Sequence, residues 1–214
     1  MSDPLVSYYA KRAHEYERIY HKPERQADLR QLRDIVEHEF RDAKVCEVAC
    51  GTGYWTAILA KSAASVFATD INDEVLAIAR SKAIDSQRVT FQCADAYALP
   101  VPANRSTAGF SGFWWSHIPK ARLRSFLQNF HGVLPPGARV MFIDNAYVEG
   151  SSTAIARTDQ DGNSYQLRQL DDGSTHEVLK NFPTEQELRS TVADLATDIR
   201  VQFLRYFWIL TYTL

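Results

Sequence analysis

Residues Val45 to Leu59 constrain this chain more than any other stretch. Val45-Cys46-Glu47-Val48 is a short apolar run, Ala49-Cys50-Gly51-Thr52-Gly53 is a turn with two glycines one residue apart, and Tyr54-Trp55-Thr56-Ala57-Ile58-Leu59-Ala60 spaces its apolar side chains as a helix does. The pattern predicts strand, tight loop and helix in succession. Gly51 and Gly53 can take positive φ and carry no Cβ, so a ligand can lie against the backbone where the strand ends. The helix that opens near Gly53 offers unpaired N–H groups and a positive dipole end to a polar or anionic group.

A dinucleotide-binding loop begins with the same glycines, but it needs a third small residue where this chain has Thr56, and Glu47 lies inside the strand. The run Glu47-x-x-Cys50-Gly51-Thr52-Gly53 resembles motif I of the class I S-adenosylmethionine-dependent methyltransferases, and the resemblance continues in order through at least residues 44 to 144. It implies S-adenosylmethionine as cofactor and S-adenosylhomocysteine as product. It also implies that Glu47 orients the loop or the methionine end of the cofactor, with Ala49, Cys50, Gly51, Thr52 and Gly53 lying against that end.

The second strand, Ser65 to Asp70, ends in an acid. In a parallel sheet the ligand sits at the carboxyl ends of the strands, so Asp70, followed by Ile71, is aimed into the same crevice as the glycine loop and can accept both ribose hydroxyls. Asp73 is the better candidate for capping the next helix. Arg88 to Cys93 runs into Ala94-Asp95-Ala96, which resembles the family's G-D-A segment, with Ala94 in place of the glycine. That implies Asp95 on the adenine amino group and the backbone of Ala96 on the ring.

A fourth strand, about 106 to 113, carries Gly112 and Phe113 to the cofactor and meets the cleft at Trp114-Trp115. Alternation along a strand puts one of these two tryptophans in the substrate pocket. His117 follows, either as general base or as a capping or substrate-orienting side chain. The fifth strand, Ala138 to Ile143, ends at Asp144-Asn145. That pair resembles the metal-dependent catechol O-methyltransferases, but no acid follows strand four. No metal is therefore expected, and Asp144, Asn145 and Tyr147 are assigned to the substrate pocket.

Near the start, Tyr9, Ala13, Tyr16 and Tyr20 form one helical stripe. It is either an amphipathic packing face or, by resemblance to the Y-D-x-x-A-x-x-Y-D segment of small-molecule methyltransferases, a cap that brings Tyr9 and Tyr16 to the cofactor or substrate. Ala10 replaces the acid after the first tyrosine. A helix over roughly 24 to 41 should pack on the sheet without chemistry. Residues 165–170 and 175–180 read as a hairpin closed by Asp171-Asp172-Gly173-Ser174. It would be a lid with Arg157, Tyr165, Arg168, His176 and Lys180 facing an acidic or hydroxylated substrate, or else a homodimer contact. Thr184-Glu185-Gln186-Glu187 is a capping box that opens the last helix.

The fold expected is α/β: a Rossmann-like, seven-stranded, mostly parallel sheet in the order 3-2-1-4-5-7-6, with helices on both faces. A chain of 214 residues fits one domain. It divides into an N-terminal helical cap (1–41), a cofactor-binding core (42–145), a substrate-lid insertion after strand five (146–183), and a final helix with an antiparallel strand pair (184–214). The net charge of −2 argues against a nucleic-acid partner. No stretch reads as a leader or a membrane span, so a cytoplasmic protein is expected. Cys46, Cys50 and Cys93, odd in number and in or beside strands expected to be buried, read as reduced. The function expected is methyl transfer from S-adenosylmethionine to an O, N or C atom of a small molecule. The rivals are a quinone-type C-methyltransferase, a protein that binds the cofactor without turnover, and an NAD-dependent oxidoreductase.

Overall fold

The computed structural model describes residue 8, residues 12–101 and residues 106–214; for residues 13–16 it describes the backbone only. The strands of the main sheet are β1 (Lys44–Val48), β2 (Ser65–Asp70), β3 (Val89–Cys93), β4 (Ala108–Gly112), β5 (Arg139–Asn145), β9 (Thr197–Phe203) and β10 (Phe207–Thr213). They lie in the order β3-β2-β1-β4-β5-β10-β9, which is 3-2-1-4-5-7-6 when those seven are counted along the chain. β10 is antiparallel to both β5 and β9, and the remaining pairs are parallel. The helices are α1 (Gln26–Glu39), α2 (Tyr54–Leu59), α3 (Asp73–Ser81), α4 (Lys120–Gly132) and α5 (Glu185–Val192).

Alternation along the central strands divides the core in two. From β5, Met141 and Ile143 join the layer under α1 and α2 with Leu29, Leu32, Trp55 and Leu59. Val140 and Phe142 point the other way, into the layer under α4 and α5 with Phe126, Phe130, Leu188 and Trp208. Both faces of the sheet are thus covered, as parallel strands with crossover helices require. β3 is an edge strand, so Cys93 is exposed rather than buried as its strand suggested, while Cys46 and Cys50 are buried.

In the amino-terminal stretch Tyr8 and Arg12 are α-helical, and Ala13–His21 continues as a 3-10 helix. Tyr9 lies outside the described residues, as does the side chain of Tyr16. Tyr20, the last of the stripe, stacks on Tyr54 with ring centroids 3.6 Å apart. A second 3-10 turn, Pro23–Arg25, precedes α1. The insertion is a three-stranded antiparallel sheet, β6 (Arg157–Thr158), β7 (Ser164–Gln169) and β8 (Thr175–Leu179), one strand more than the hairpin expected. The capping box of α5 is present, with Thr184 and Glu187 bonded reciprocally. No helix among the described residues is long and apolar enough to cross a membrane.

One carboxyl group sits inside the core. Glu47 on β1 is buried, and the Thr56 hydroxyl donates to its carboxyl group at 2.6 Å. Burial outweighs that bond and pushes the Glu47 pKa up to about 8, with Asp70 adding repulsion.

Two stability predictions follow from this packing. A Cβ added at Gly109 would meet Leu134 and Phe130 at 2.7 Å. Gly109→Ala should therefore cost about 1–3 kcal/mol in urea unfolding, as overpacked cores do. For Glu47, the folded chain keeps a proton that the unfolded chain releases near pH 4.5. This stabilisation is complete below the unfolded value and is lost as pH rises toward about 8. Stability should fall by on the order of 1 kcal/mol per pH unit across that window. Unfolding curves at pH 5, 6, 7 and 8 should show a shallower decline in Glu47→Gln; parallel declines in both proteins would exclude Glu47 as the source.

Candidate active site

The glycine loop leaves β1 through three residues with positive φ: Ala49 at 56°, Gly51 at 55° and Gly53 at 76°. Gly53 is also required by packing, because a Cβ there would meet that of Ala79 at 3.0 Å. The loop is tied to the next strand. Cys50 N–H donates to the Thr69 carbonyl at 2.9 Å, and Gly51 N–H donates to Asp70 Oδ2 at 2.8 Å. The other oxygen of Asp70 accepts Asn72 N–H at 2.9 Å. Burial raises the Asp70 pKa while these N–H bonds oppose the rise. Each carboxylate oxygen still has a lone pair for a further donor.

Beside Asp70 the carboxyl edge of the sheet presents a bare apolar surface. Ile71 is 44% exposed although it adjoins a packed strand. Asp70 pairs with Cys93 across the β2–β3 ladder, and Ala94 N–H donates to the Asp70 carbonyl. Asp95 and Ala96 therefore follow at the same edge. Asp95 is exposed and accepts Tyr97 N–H at 2.9 Å. Glu47 stands behind the loop and reaches α2 through Thr56, and Thr52 donates to Glu17, which also pairs with Lys82. Cys50 is buried, and burial drives its thiol pKa up.

Gly112 ends β4 where a Cβ would meet Trp55 at 2.8 Å, so its size is set by that indole. Phe113 then takes φ 62° and packs against Tyr20, Trp55 and Phe207. This left-handed residue ends the strand alternation on which the expectation for the tryptophans rested. Trp115 turns into the core against Phe142 and Trp208, and Trp114 is half-buried on the same layer. Neither lines the cavity described next; Phe113 does.

That cavity, of about 330 Å³, lies between the amino-terminal segment, the ends of β4 and β5, and the insertion. His117, Asn145, Arg168 and Lys180 line it, together with residues the sequence did not single out for it: Arg12, Lys22, Arg25, Ser151 and Gln166. His117 is buried, with Nδ1 at 2.7 Å from the Leu179 carbonyl. A carbonyl only accepts, so Nδ1 carries the proton and Nε2 presents the lone pair. Burial, then the charges of Lys180, Arg168 and Arg12, hold the His117 pKa well below its usual value, so the ring is neutral at physiological pH.

Lys180 closes the base of the insertion. Its ammonium donates to Asp144 Oδ1 at 2.9 Å and to Ser116 Oγ at 2.5 Å, with both charged side chains buried. Burial lowers the Lys180 pKa to about 8 even though Asp144 opposes the shift. Asp144 also accepts N–H bonds from Ser116 and Asn145. It is thus committed to holding the fold together rather than open to a substrate. Asn145 Oδ1 accepts from Arg25 at 2.9 Å.

Other expected substrate residues fall outside the cavity. β7 alternates, so Gln166 and Arg168 share one face and Tyr165 takes the other, under the Arg157 guanidinium at 3.8 Å and bonded to Asp159. Arg157 is itself paired with Glu177 on that outer face. His176 is the cross-strand partner of Arg168 and lies beside Tyr8, its Nε2 2.8 Å from Ser174 Oγ. Tyr147 is exposed and packs on Phe182, which lines the cavity. Arg25 went unnoticed because it begins a helix that reads as purely structural. One local signal was present: Lys22 and Arg25 put cations at a helix amino end, where the dipole disfavours them.

The carboxyl edge fits S-adenosylmethionine on its own chemistry. A carboxylate with lone pairs to spare, an exposed aliphatic residue beside it and a backbone loop held in the left-handed region answer a ribose, an adenine and an amino-acid end in turn. A methyltransferase-domain profile matches residues 45–137. Among solved structures, the DhpI–SAM–HEP complex superposes with a TM-score of 0.80 at 26% identity, covering 100% of both chains. The DhpI–SAH complex superposes at 0.79 with 27% identity, covering 98% of this chain and 94% of that one. The demethylmenaquinone methyltransferase of Staphylococcus aureus is 28% identical over 106 residues, 48% of this chain and 43% of that protein. The biotin biosynthesis bifunctional protein BioHC of Saccharophagus degradans is 30% identical over 103 residues, 46% of this chain and 18% of that protein. The matches thus span less than half the length of these curated relatives. Residues 45–137 thus match a methyltransferase domain, from β1 to the turn before β5, and the whole chain is similar in fold to two solved complexes with SAM or SAH.

Proposed function

We propose that this protein transfers the methyl group of S-adenosylmethionine to an O, N or C atom of a small molecule seated in the cavity under the insertion. The observation that carries this reading is the adjacency of two sites around Phe113, which follows β4 at the carboxyl edge and also lines the 330 Å³ cavity. Asp70 would accept the ribose hydroxyls, Asp95 and the backbone of Ala96 would meet the adenine beside Ile71, and the loop from Ala49 to Gly53 would hold the methionine end with Gly112 and Phe113. When bound, the cofactor supplies a methyl group on a cationic sulfur, already electrophilic. The protein's task is then to align the acceptor and exclude water. The aromatic wall of Phe113, Tyr20 and Trp55 suits the exclusion. His117, neutral and protonated on Nδ1, would take an acceptor's proton or hydrogen bond on Nε2.

A quinone with a long apolar tail, the acceptor of the rival reading, suits this cavity poorly, because six of its lining side chains are basic. The DhpI complex, in which that protein holds both SAM and HEP, supports an arrangement with cofactor and a second small ligand together.

The direct test is calorimetric titration with S-adenosylhomocysteine. The wild type should bind in the micromolar range, and Asp70→Asn should bind about tenfold more weakly or worse, since a charge-assisted bond is worth about 1.5–3 kcal/mol. Equal affinity in the variant would overturn the ribose assignment, and absence of binding by the wild type would overturn the cofactor reading.

A further inference from the structure

The charge of the cavity is one-sided. Arg12, Arg18, Lys22, Arg25, Arg168 and Lys180 line it, and no aspartate or glutamate is among its described lining residues. Arg18 pairs with Asp171, outside the cavity lining, and Lys180 with Asp144. Lys22 and Arg25 are held differently. Lys22 Nζ donates to the Ser151 carbonyl at 2.7 Å. Arg25, only 6% exposed, donates to Asn145 Oδ1 at 2.9 Å and to the carbonyl and hydroxyl of Ser151. Every one of these acceptors is neutral. Glu24, exposed and hydrogen-bonded to the Ser151 hydroxyl, and Asp28 oppose the effect of burial on Arg25, but no hydrogen bond of the Arg25 guanidinium described above goes to either.

A buried guanidinium held by neutral acceptors, close to further cations, is an unfavourable arrangement unless an anion completes it. The cations repel one another. Burial and then Arg25 depress the Lys22 pKa, with Arg168 adding to the shift and Glu24 opposing it. The charges of Arg168 and Arg12 also bear on His117 and Lys180. Rigidity adds to the case. The Arg25 guanidinium lies over the rings of Tyr206 and Phe207 at 5.3 and 5.8 Å, and the positive end of α1 begins at the same residue. A planar fork fixed in this way matches the geometry of an oxyacid.

We infer that the methyl acceptor carries a compact oxyanion, a carboxylate or a phosphoryl or phosphonyl group, seated between Lys22 and Arg25 at the end of α1 and Arg168 on β7. This rests on the methyl-transfer reading above and names the class of substrate for the same site. The cavity volume lies at the lower end of the roughly 300–1,000 Å³ typical of ligand sites, so the rest of the acceptor is small.

The test uses the full chain saturated with S-adenosylhomocysteine, titrated at constant ionic strength with inorganic phosphate, with acetate, and with tetramethylammonium as a cationic control. Phosphate or acetate should bind, and whichever binds more tightly identifies the phosphoryl or the carboxylate source; tetramethylammonium should not bind. Lys22→Gln and Arg168→Gln should each weaken the anion about tenfold, as the loss of a charge-assisted bond does, while leaving cofactor affinity within about twofold. Arg25→Lys keeps the charge but loses the fork, and should weaken the anion without unfolding the chain. If neither anion binds while S-adenosylhomocysteine does, or if both anions act equally on wild type and variants as general salt effects, the inference is overturned and the methyl-transfer reading stands. Failure of S-adenosylhomocysteine itself to bind would strike that underlying reading.

Discussion

The ion pair between Lys180 and Asp144 joins the insertion to the main sheet beside the cavity. Both groups are buried, and such a pair persists only when its remaining hydrogen bonds are satisfied. Here Asp144 takes donors from Lys180, Ser116 and Asn145, and Lys180 also reaches the Ser116 hydroxyl. The pair pins the end of β8 to the end of β5. With that join made, the Leu179 carbonyl lies against His117 and sets its tautomer, and Asn181 bonds the backbone at Ser116 and Ile118. Arg168, on β7 paired with β8, lines the cavity. Without the pair, the insertion would be a small three-stranded sheet with little core of its own, Tyr8, Leu170 and Val178.

The two halves of the site have opposite electrostatic character. The cofactor edge carries carboxyl groups, Glu47, Asp70 and Asp95, and backbone N–H donors. The acceptor side carries arginines and lysines. Phe113 stands at the boundary, with its backbone in the left-handed region and its ring in the aromatic cluster of Tyr20, Trp55 and Phe207. A cationic sulfonium and an anionic acceptor would each meet complementary charge, and each would favour the other across the boundary. Burial and the charges of Lys180, Arg168 and Arg12 lower the His117 pKa, while the Leu179 carbonyl opposes them.

Strand phase decides where several of the expected side chains lie. One of Trp114 and Trp115 is expected in the pocket if alternation continues, and Tyr165 if the insertion is a lid. Phe113 stops the alternation after β4 with a single left-handed residue, and on β7 the cavity is lined by residues 166–169 but not by Tyr165. A one-residue change of phase moves every side chain to the other face. Asp144 was read as a pocket group because its partner, Lys180, lies 36 residues further on. Lys22 and Arg25 went unread because their significance depends on what faces them from the insertion and from Ser151.

The seven-strand order was what the resemblance implied, while the sequence by itself determined the strand–loop–helix at Val45 to Leu59 and the acids at the ends of β2 and β3. These are local matters, since glycine position, apolar period and the carboxyl-end rule each act within one βα unit. Only the tertiary structure decided the acceptor half. Its cations come from the amino-terminal segment, from the start of α1 and from β7 and β8, and no short-range pattern links positions 22, 25, 168 and 180. They become a site because the buried Lys180–Asp144 pair draws the insertion over the end of the sheet, which is a long-range contact that no local propensity encodes.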